Sequence, residues 1–460
     1  MNKENIVRKK VSQTPKGLDK LKWYGPGLLW MLSAVGTGSI LFTPRVSSAY
    51  QYELFWLLLI VCFFMWVMIK EMARFSVVTG QTMLAGMSKL PGPKNWAVWV
   101  IFVPQLFAAA VGIAGLCAIV GSAISSFFPG DAKLYAVATL LLCVLVTATG
   151  RYMRIEQISK WMAIFLLISV IVSALTVLRD PIPLAKGLIP SFPNDADLYI
   201  ILPWVGTILA GSMGIVWFSY WISTRGFGGG FIQKGQNEEI PNDVQKEKHY
   251  SLNKQNSKHK RNNNLHEWLS IVNKTAALGV IGGAVILTSF LVLGSELLAP
   301  AGIMPSGNDV ALDLSKLFSQ VWGESGRYLI LLAIIVALGG SVLANQDGWG
   351  RSFADMTLLL FTYPFMQKFS FKKIKRFYIV LITGIIPFII IVVFKDPVKI
   401  MSASGIIAAI HTPFITLTAI AVNRTLLPKE LAPGWFIYSM MALSGIFYLG
   451  FALLYLKDLL

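Results

Sequence analysis

The sequence predicts an all-α polytopic membrane protein with about eleven transmembrane helices, arranged as two inverted five-helix repeats and one additional helix. Composition supports this class, because 55% of the 460 residues are hydrophobic and only 14% are charged, with a mean hydropathy of +0.63. A soluble protein of this length needs a far more polar surface. In addition, two apolar segments in corresponding halves of the chain are each interrupted by glycines near the midpoint.

The predicted spans are separated by polar connections, and their lengths suit the hydrocarbon core of a bilayer. They cover residues 25–49, 53–78, 95–124, 133–150, 157–178, 199–224, 269–298, 327–346, 376–394, 398–422 and 433–456. The predicted organisation is a cytoplasmic tail at residues 1–24, a first repeat at 25–178, a second repeat at 199–422 with an inserted loop at 226–264, and an extra helix at 433–460. Residues 350–367 are amphipathic and either extend the eighth span or lie at the membrane interface.

The distribution of lysine and arginine predicts the orientation of the spans. With a cytoplasmic N-terminus, 31 of the 40 basic residues fall in segments on the cytoplasmic side, as the positive-inside rule requires. An odd number of spans then places the C-terminus on the external side of the cell membrane. The net charge of +17 is therefore interpreted as a topology signal. Anionic lipid is a secondary contact, and no nucleic-acid partner is expected.

The inserted loop at residues 226–264 opens with a glycine cluster and continues rich in Lys, Asn, Gln and Glu. It has too few large apolar residues to order itself, so we expect a disordered cytoplasmic linker. A regulatory or partner-binding segment is the alternative. His249, His259 and His266 fall in or beside this loop, but their spacing matches no metal-ligand motif.

Other classes of function find little support in the residue pattern. The cysteines Cys62, Cys117 and Cys143 lie in three different apolar spans and are expected to be buried thiols without a disulfide. The spans supply no set of nucleophile, base and oxyanion donor, so an enzyme is not expected. No cofactor is expected, and the oligomeric state is left open.

The two glycine-rich interruptions are the candidate functional centre. Gly36 and Gly38 lie at the middle of the first span, and Gly211 and Gly214 lie at the middle of the sixth. Each glycine in a helix interior costs about 1 kcal/mol relative to alanine, so both helices are expected to break there. Lipid cannot satisfy the freed backbone groups, which must line a cavity or face other protein. Paired breaks of this kind are typical of the substrate site of a transporter.

Three short motifs give the chain a resemblance to a known family. They are Val77-Val78-Thr79-Gly80-Gln81, Val111-Gly112-Ile113-Ala114 and His411-Thr412-Pro413-Phe414. In their order and spacing, with both breaks in register, the chain resembles the NRAMP family of proton-coupled divalent-metal transporters from Gly25 to about Pro428, apart from the inserted loop. The resemblance implies a LeuT-type fold with broken helices 1 and 6, and alternating access about a site at the membrane midplane.

The positions that hold the metal in the family are mostly changed here. The family's first break carries Asp-Pro-Gly-Asn, whereas this chain has Gly36-Thr37-Gly38-Ser39. In the sixth span the family's Ala and Met are matched by Ala210 and Met213, but its Pro-His-Asn is replaced by Gly214-Ile215-Val216.

The third and tenth spans also depart from the family. The acidic residues of the family's third span fall near Leu106 and Ala109, and its glutamine in the tenth span aligns with His411. The substrate-binding residues predicted from this comparison are Gly36, Thr37, Ser39, Ala210, Met213 and His411.

The first functional hypothesis is a secondary-active symporter of this superfamily that carries a divalent cation, such as hydrated Mg²⁺. Removing the water shell of a dication costs much free energy, and a site without carboxylates offsets little of that cost. The remaining hydroxyls and carbonyls therefore suit an ion that keeps its water shell. The second hypothesis is a small polar or anionic solute, which a cavity-facing Arg45 would favour. Arg45 at the outer end of its span is otherwise interpreted as snorkelling to the interface. The third hypothesis is a non-transporting sensor or scaffold that acts through the inserted loop.

Several polar residues admit a structural interpretation beside a functional one. Met213 is either a soft metal ligand or a packing residue, and the sequence favours neither interpretation over the other. His411 either bonds a neighbouring helix or lines the pathway, and the second is favoured. Asp347, Arg351 and Asp355, at helical spacing, are predicted to form a structural ion-pair set.

Overall fold

The computed structural model describes residues 11–25, 27, 30–31, 36, 38–149, 153–229, 258–361, 369–394 and 396–459, and these residues are helical with irregular connections and no strands. The α-helices are α1 (Thr43–Tyr50), α2 (Phe55–Thr79), α3 (Met83–Met87), α4 (Trp96–Ser125), α5 (Ala132–Thr149), α6 (Met153–Val177), α7 (Ile182–Lys186), α8 (Leu198–Thr207), α9 (Gly211–Thr224), α10 (Lys258–Leu293), α11 (Val310–Leu360), α12 (Phe371–Val380), α13 (Ile386–Val393), α14 (Pro397–Leu426) and α15 (Trp435–Leu459).

Nine helical segments within the described residues are long and apolar enough to cross a membrane. They are Phe55–Thr79, Trp96–Ser125, Ala132–Thr149, Leu198–Ser223, His259–Leu298, Val310–Leu360, Phe371–Val393, Pro397–Leu426 and Trp435–Lys457. A shorter apolar helix, Ile164–Val177, lies where the fifth span is predicted. The first predicted span includes residues outside the described part, and its second half consists of a π-helical turn, Gly38–Phe42, followed by α1. The predicted all-helical membrane fold is confirmed.

Helix α11 is longer than the eighth predicted span at both ends. It runs over 51 residues and bends at Gly323, whose φ of 66° and ψ of −156° are not helical. Glycine adopts positive φ without the steric cost that a Cβ imposes, which explains the bend at this residue. At the other end the helix continues to Leu360, so the amphipathic stretch predicted at 350–367 extends this span as far as the structure describes it.

The inserted loop is shorter than predicted. Residues 258–264 form the first turns of α10, and residues 226–229 also have a described conformation. Residues 258–264 therefore belong to a helix, and disorder of the loop stays a prediction. The rest of that loop, residues 230–257, lies outside the described part.

The described part of the N-terminal tail packs against both ends of this loop. Ser12 donates its hydroxyl hydrogen bond to the carbonyls of Gly226 and Gly228, at 2.9 and 3.1 Å. The carbonyl of Ser12 in turn accepts from the side chains of Asn264 and Trp268, at 2.7 and 2.8 Å. Residues 11–16 thus tie the end of the sixth span to the start of the seventh.

Helix α4 lies at the centre of the bundle, where it packs against α5, α11 and α14. Helix α14 also crosses α8 closely. A Cβ placed on Gly206 of α8 would lie 2.0 Å from the carbonyl oxygen of Gly405 in α14, so only glycine fits at this crossing. Close contact through small residues is a common way for membrane helices to pack, and here it holds α8 against α14.

Candidate functional site

The first break lies where the glycine pattern predicts it. Gly36 is in a bend, and a π-helical turn follows over Gly38–Phe42. The Thr43 hydroxyl donates to the Gly38 carbonyl at 2.7 Å, so a side chain binds a backbone group at the end of this turn. Ser39 is buried, with 3% of its surface exposed. Thr37, which was predicted to contact substrate, lies outside the described residues.

The second break separates α8 from α9. The chain turns through Ile208–Ala210, where Leu209 has the left-handed dihedrals φ 57° and ψ 42°. Gly211 follows with φ 62° and ψ −173°, a conformation that is essentially restricted to glycine. Gly214 lies inside α9 and is helical, so the prediction that it belongs to the break is corrected.

The two breaks touch each other. A Cβ placed on Gly38 would lie 2.2 Å from the Thr207 carbonyl oxygen, so the backbones are in direct contact there. Trp204, one turn before the second break, donates its indole N–H to the Thr43 hydroxyl at 2.9 Å. The contact and this hydrogen bond join the outer half of the first span to the end of α8.

Beside the second break, three helices share a buried hydrogen-bond network. The Gln105 amide nitrogen in α4 lies 2.9 Å from Ser212 Oγ at the start of α9, and it also contacts His411 Nδ1 in α14. The other ring nitrogen of His411 lies 3.0 Å from the Val100 carbonyl oxygen. Val100 is free to accept, because Pro104, four residues further along α4, has no N–H. His411 therefore bonds a neighbouring helix and also lies beside the break.

Gln105 is the residue that the sequence analysis missed. It is fully buried and follows a proline inside a 30-residue apolar helix. A polar side chain at such a position is a signal for function in a membrane protein. The family's acidic third-span residues fall near Leu106 and Ala109 instead, one and four residues after Gln105.

Met213 and Ala210 flank the second break. Met213 is 2% exposed and belongs to the buried apolar core, which is compatible with packing and with a ligand that points inward. Ala210 ends the irregular turn, where a carbonyl would be the group to bind substrate. No cluster of three His, Cys, Asp or Glu residues that could hold a metal occurs among the described residues.

Arg45 contacts a connecting segment between two spans. Its guanidinium donates to the carbonyl of Pro305, in the connection between the seventh and eighth spans. Ser48, further along α1, donates to the Ile303 carbonyl in the same connection at 2.6 Å. Arg45 therefore anchors the connection between the seventh and eighth spans. The sequence analysis had considered only snorkelling to the interface and substrate binding for this residue.

At the other end of the bundle, the predicted ion pairs are present in part. Arg351 pairs with Asp347 at 2.6 Å, and Lys375 pairs with the same carboxylate at 2.5 Å. Asp355, however, accepts hydrogen bonds from the hydroxyls of Tyr220 and Thr82. The predicted ion-pair set is thus correct for Asp347, whereas hydroxyl groups hold Asp355.

Two contacting breaks in an all-helical membrane bundle raise the question of which family builds them. The sequence model for natural resistance-associated macrophage protein-like (NRAMP) proteins matches residues 27–456. The chain belongs to the NRAMP family. It is also 19% identical, over 373 residues, to an uncharacterized protein of Pasteurella multocida. The alignment covers 78% of this chain and 77% of that protein.

Solved structures show the same fold as this NRAMP chain. A variant of the manganese transporter of Eremococcus coleocola superposes with a TM-score of 0.66 at 14% identity, covering 99% of this chain and 90% of that one. The same transporter bound to an aromatic bis-isothiourea compound gives a TM-score of 0.66 at 14% identity, with 97% and 89% covered. Mhp1, a nucleobase-cation-symport-1 family transporter, gives a TM-score of 0.50 at 11% identity, with 98% and 95% covered. The predicted LeuT-type architecture is confirmed.

Proposed function

We propose that this NRAMP protein is a secondary-active transporter that moves a divalent cation by alternating access, with the ion retaining part of its water shell, as Mg²⁺ does. The observation that supports this most is the contact of Gly38 with the Thr207 carbonyl, which brings the two breaks together beside neutral polar groups. The manganese transporter with the same fold supports a metal as the class of substrate.

The chemistry of the break region favours a hydrated ion over a bare one. Neither broken span, residues 25–49 or 199–224, contains an Asp or a Glu. Carbonyl and hydroxyl oxygens, such as those of Ser39 and Ser212, are hard but neutral ligands. They are poor compensation for the full desolvation of a dication. Mg²⁺ gives up water reluctantly and usually keeps several water ligands in proteins, so it fits this site better than a stripped transition ion.

The alternative of an anionic solute loses the feature that favoured it. Its supporting residue was Arg45, whose guanidinium binds an outer-loop carbonyl. The sensor alternative depends on the inserted loop, most of which lies outside the described residues. A cation transporter is therefore the function that the site supports best.

Reconstitution into liposomes that enclose a Mg²⁺-sensitive dye tests the proposal. We expect Mg²⁺ uptake above that of protein-free liposomes, with slower uptake of Mn²⁺ because the site has no carboxylate to replace the lost water. The same vesicles are then assayed with small labelled anionic and zwitterionic solutes. Solute uptake without any divalent-cation flux would show that the proposed function is wrong.

The orientation in the membrane is a separate prediction. We expect a cysteine introduced as Ser257→Cys to react with a membrane-impermeant maleimide only in opened cells, and Asp458→Cys to react in intact cells. The reason is the concentration of basic residues in the segments assigned to the cytoplasm. The native Cys62, Cys117 and Cys143 are free and buried, so they serve as the unlabelled background. Reaction of the Ser257→Cys variant in intact cells would show that the orientation is the reverse of the predicted one.

A further inference from the structure

The Gln105 amide is held in one orientation by the groups around it. Among the described residues, the groups in contact with His411 are Gln105, the Val100 carbonyl and the Phe414 ring, none of which is a carboxylate. An imidazolium without a counter-charge is costly to bury. The ring is therefore neutral and carries one proton. The Val100 carbonyl can only accept, so that proton is on Nε2, at 3.0 Å.

The neutral tautomer leaves His411 Nδ1 with a lone pair. Its partner must donate, and among the described residues the side-chain amide in contact with it is that of Gln105. One amide hydrogen of Gln105 is thus directed at His411 and the other at Ser212 Oγ, 2.9 Å away. Both hydrogens of the amide nitrogen are used, and a rotation of the amide by 180° would place its oxygen against the lone pair of His411 Nδ1.

The oxygen of the same amide finds no hydrogen-bond partner among the residues that the structure describes. Gln105 Oε1 accepts no hydrogen bond from them, although the side chain is 0% exposed. Leaving a buried acceptor unpaired costs about 1–3 kcal/mol. A buried acceptor that stays unpaired beside a helix break, in spite of this cost, is a candidate for contact with a ligand.

We propose that Gln105 Oε1 is an oxygen ligand for the transported cation, binding it directly or through one of its waters. This rests on the proposed function and names a third-span residue as part of the substrate site. His411 acts as a positioning residue, because its neutral ring directs the amide nitrogen away and leaves the oxygen available. Ser212, next to the second break, also accepts from the amide nitrogen and so leaves the oxygen available.

A buried glutamine elsewhere in the bundle provides the matched control. Gln346 in α11 is also 0% exposed, but both ends of its amide are paired. Its oxygen accepts from Thr147 at 3.1 Å, and its nitrogen donates to the Thr383 carbonyl at 3.0 Å. The two glutamines thus share burial and helix-bridging hydrogen bonds, and differ in the unpaired oxygen.

The test compares Gln105→Met with Gln346→Met, since methionine keeps the length of the side chain and removes the amide. Mg²⁺ binding is measured by calorimetry on folded protein, with the melting temperature recorded for each. We expect both variants to melt lower, but only Gln105→Met to weaken Mg²⁺ binding, by at least about tenfold. Equal Mg²⁺ affinities in Gln105→Met and Gln346→Met would overturn the inference.

A second variant is informative even if Gln105→Met does not fold. Gln105→Asn keeps an amide but draws its oxygen back by the length of one methylene, and it is expected to weaken Mg²⁺ binding by at least about tenfold. Unchanged affinity in Gln105→Asn would also overturn the assignment. If the unmodified protein binds no divalent cation, the proposed function itself fails, which distinguishes that outcome from a failure of the Gln105 assignment alone.

Discussion

Replacing Gly38 by alanine is expected to abolish most transport while leaving the bundle folded. The new Cβ would lie 2.2 Å from the Thr207 carbonyl oxygen and 2.8 Å from its carbon, so the two breaks must move apart. Overpacking of this kind costs about 1–3 kcal/mol, and it acts on two irregular segments rather than on the helix–helix contacts. We expect uptake per folded molecule in liposomes to fall by at least about tenfold, that is, about 1.4 kcal/mol.

Two other glycines serve as controls for this experiment. Among the described residues, no atom lies within 4 Å of a Cβ placed on Gly450 of α15, so Gly450→Ala should behave like the unmodified protein. Gly405→Ala would place its Cβ 2.6 Å from the Pro203 carbonyl oxygen, at a helix crossing. It should lower the melting temperature and keep transport per folded molecule. If Gly38→Ala behaves like Gly405→Ala, Gly38 serves only close packing and the role proposed for the breaks is wrong.

Restoring the family's ligand side chains, by Gly36→Asp together with Ser39→Asn, is expected to create tight Mn²⁺ binding. The open space around the Cβ of Gly36 leaves room for the new carboxylate. Ser39 is only 3% exposed, so an amide there is shielded from competing water. A charged oxygen in a low-dielectric site attracts a dication much more strongly than hydroxyl or carbonyl groups do. We expect the Mn²⁺ affinity to rise by at least about tenfold, or about 1.4 kcal/mol.

Calorimetry on the unmodified protein and the double variant measures this change. The matched control is Gly36→Asn with Ser39→Asn, which has the same shape without the negative charge. A rise in Mn²⁺ affinity that is equal in both variants would show that shape, and not charge, was missing. Mn²⁺ binding by the unmodified protein as tight as in the double variant would contradict the loss of metal ligands at this break.

Much of the fold was predictable because its signals are local in the sequence. Hydropathy over about twenty residues identifies a span, since the bilayer requires that length of apolar helix. The cost of glycine in a helix placed the breaks at Gly36 and Gly211. The spacing of Asp347 and Arg351, four residues apart, predicted their ion pair. Each of these inferences needs only neighbours along the chain.

The tertiary structure decided what depends on distant segments. The contact of Gly38 with Thr207, the docking of Ser12 onto the loop, and the anchoring of Arg45 by Pro305 each join residues more than 150 positions apart. The network of Gln105 belongs to the same class, because its partners lie on two other helices.

The sequence by itself determined that the chain is a membrane bundle with two broken helices, because hydropathy and helix propensity are properties of short segments. It did not determine which polar groups meet at the breaks. The sequence of an apolar span does not show which groups a polar residue meets on neighbouring helices, and only the packing of α4, α9 and α14 decides whether its hydrogen bonds are satisfied. The orientation of the Gln105 amide depends in this way on His411, which lies 306 residues away in the sequence.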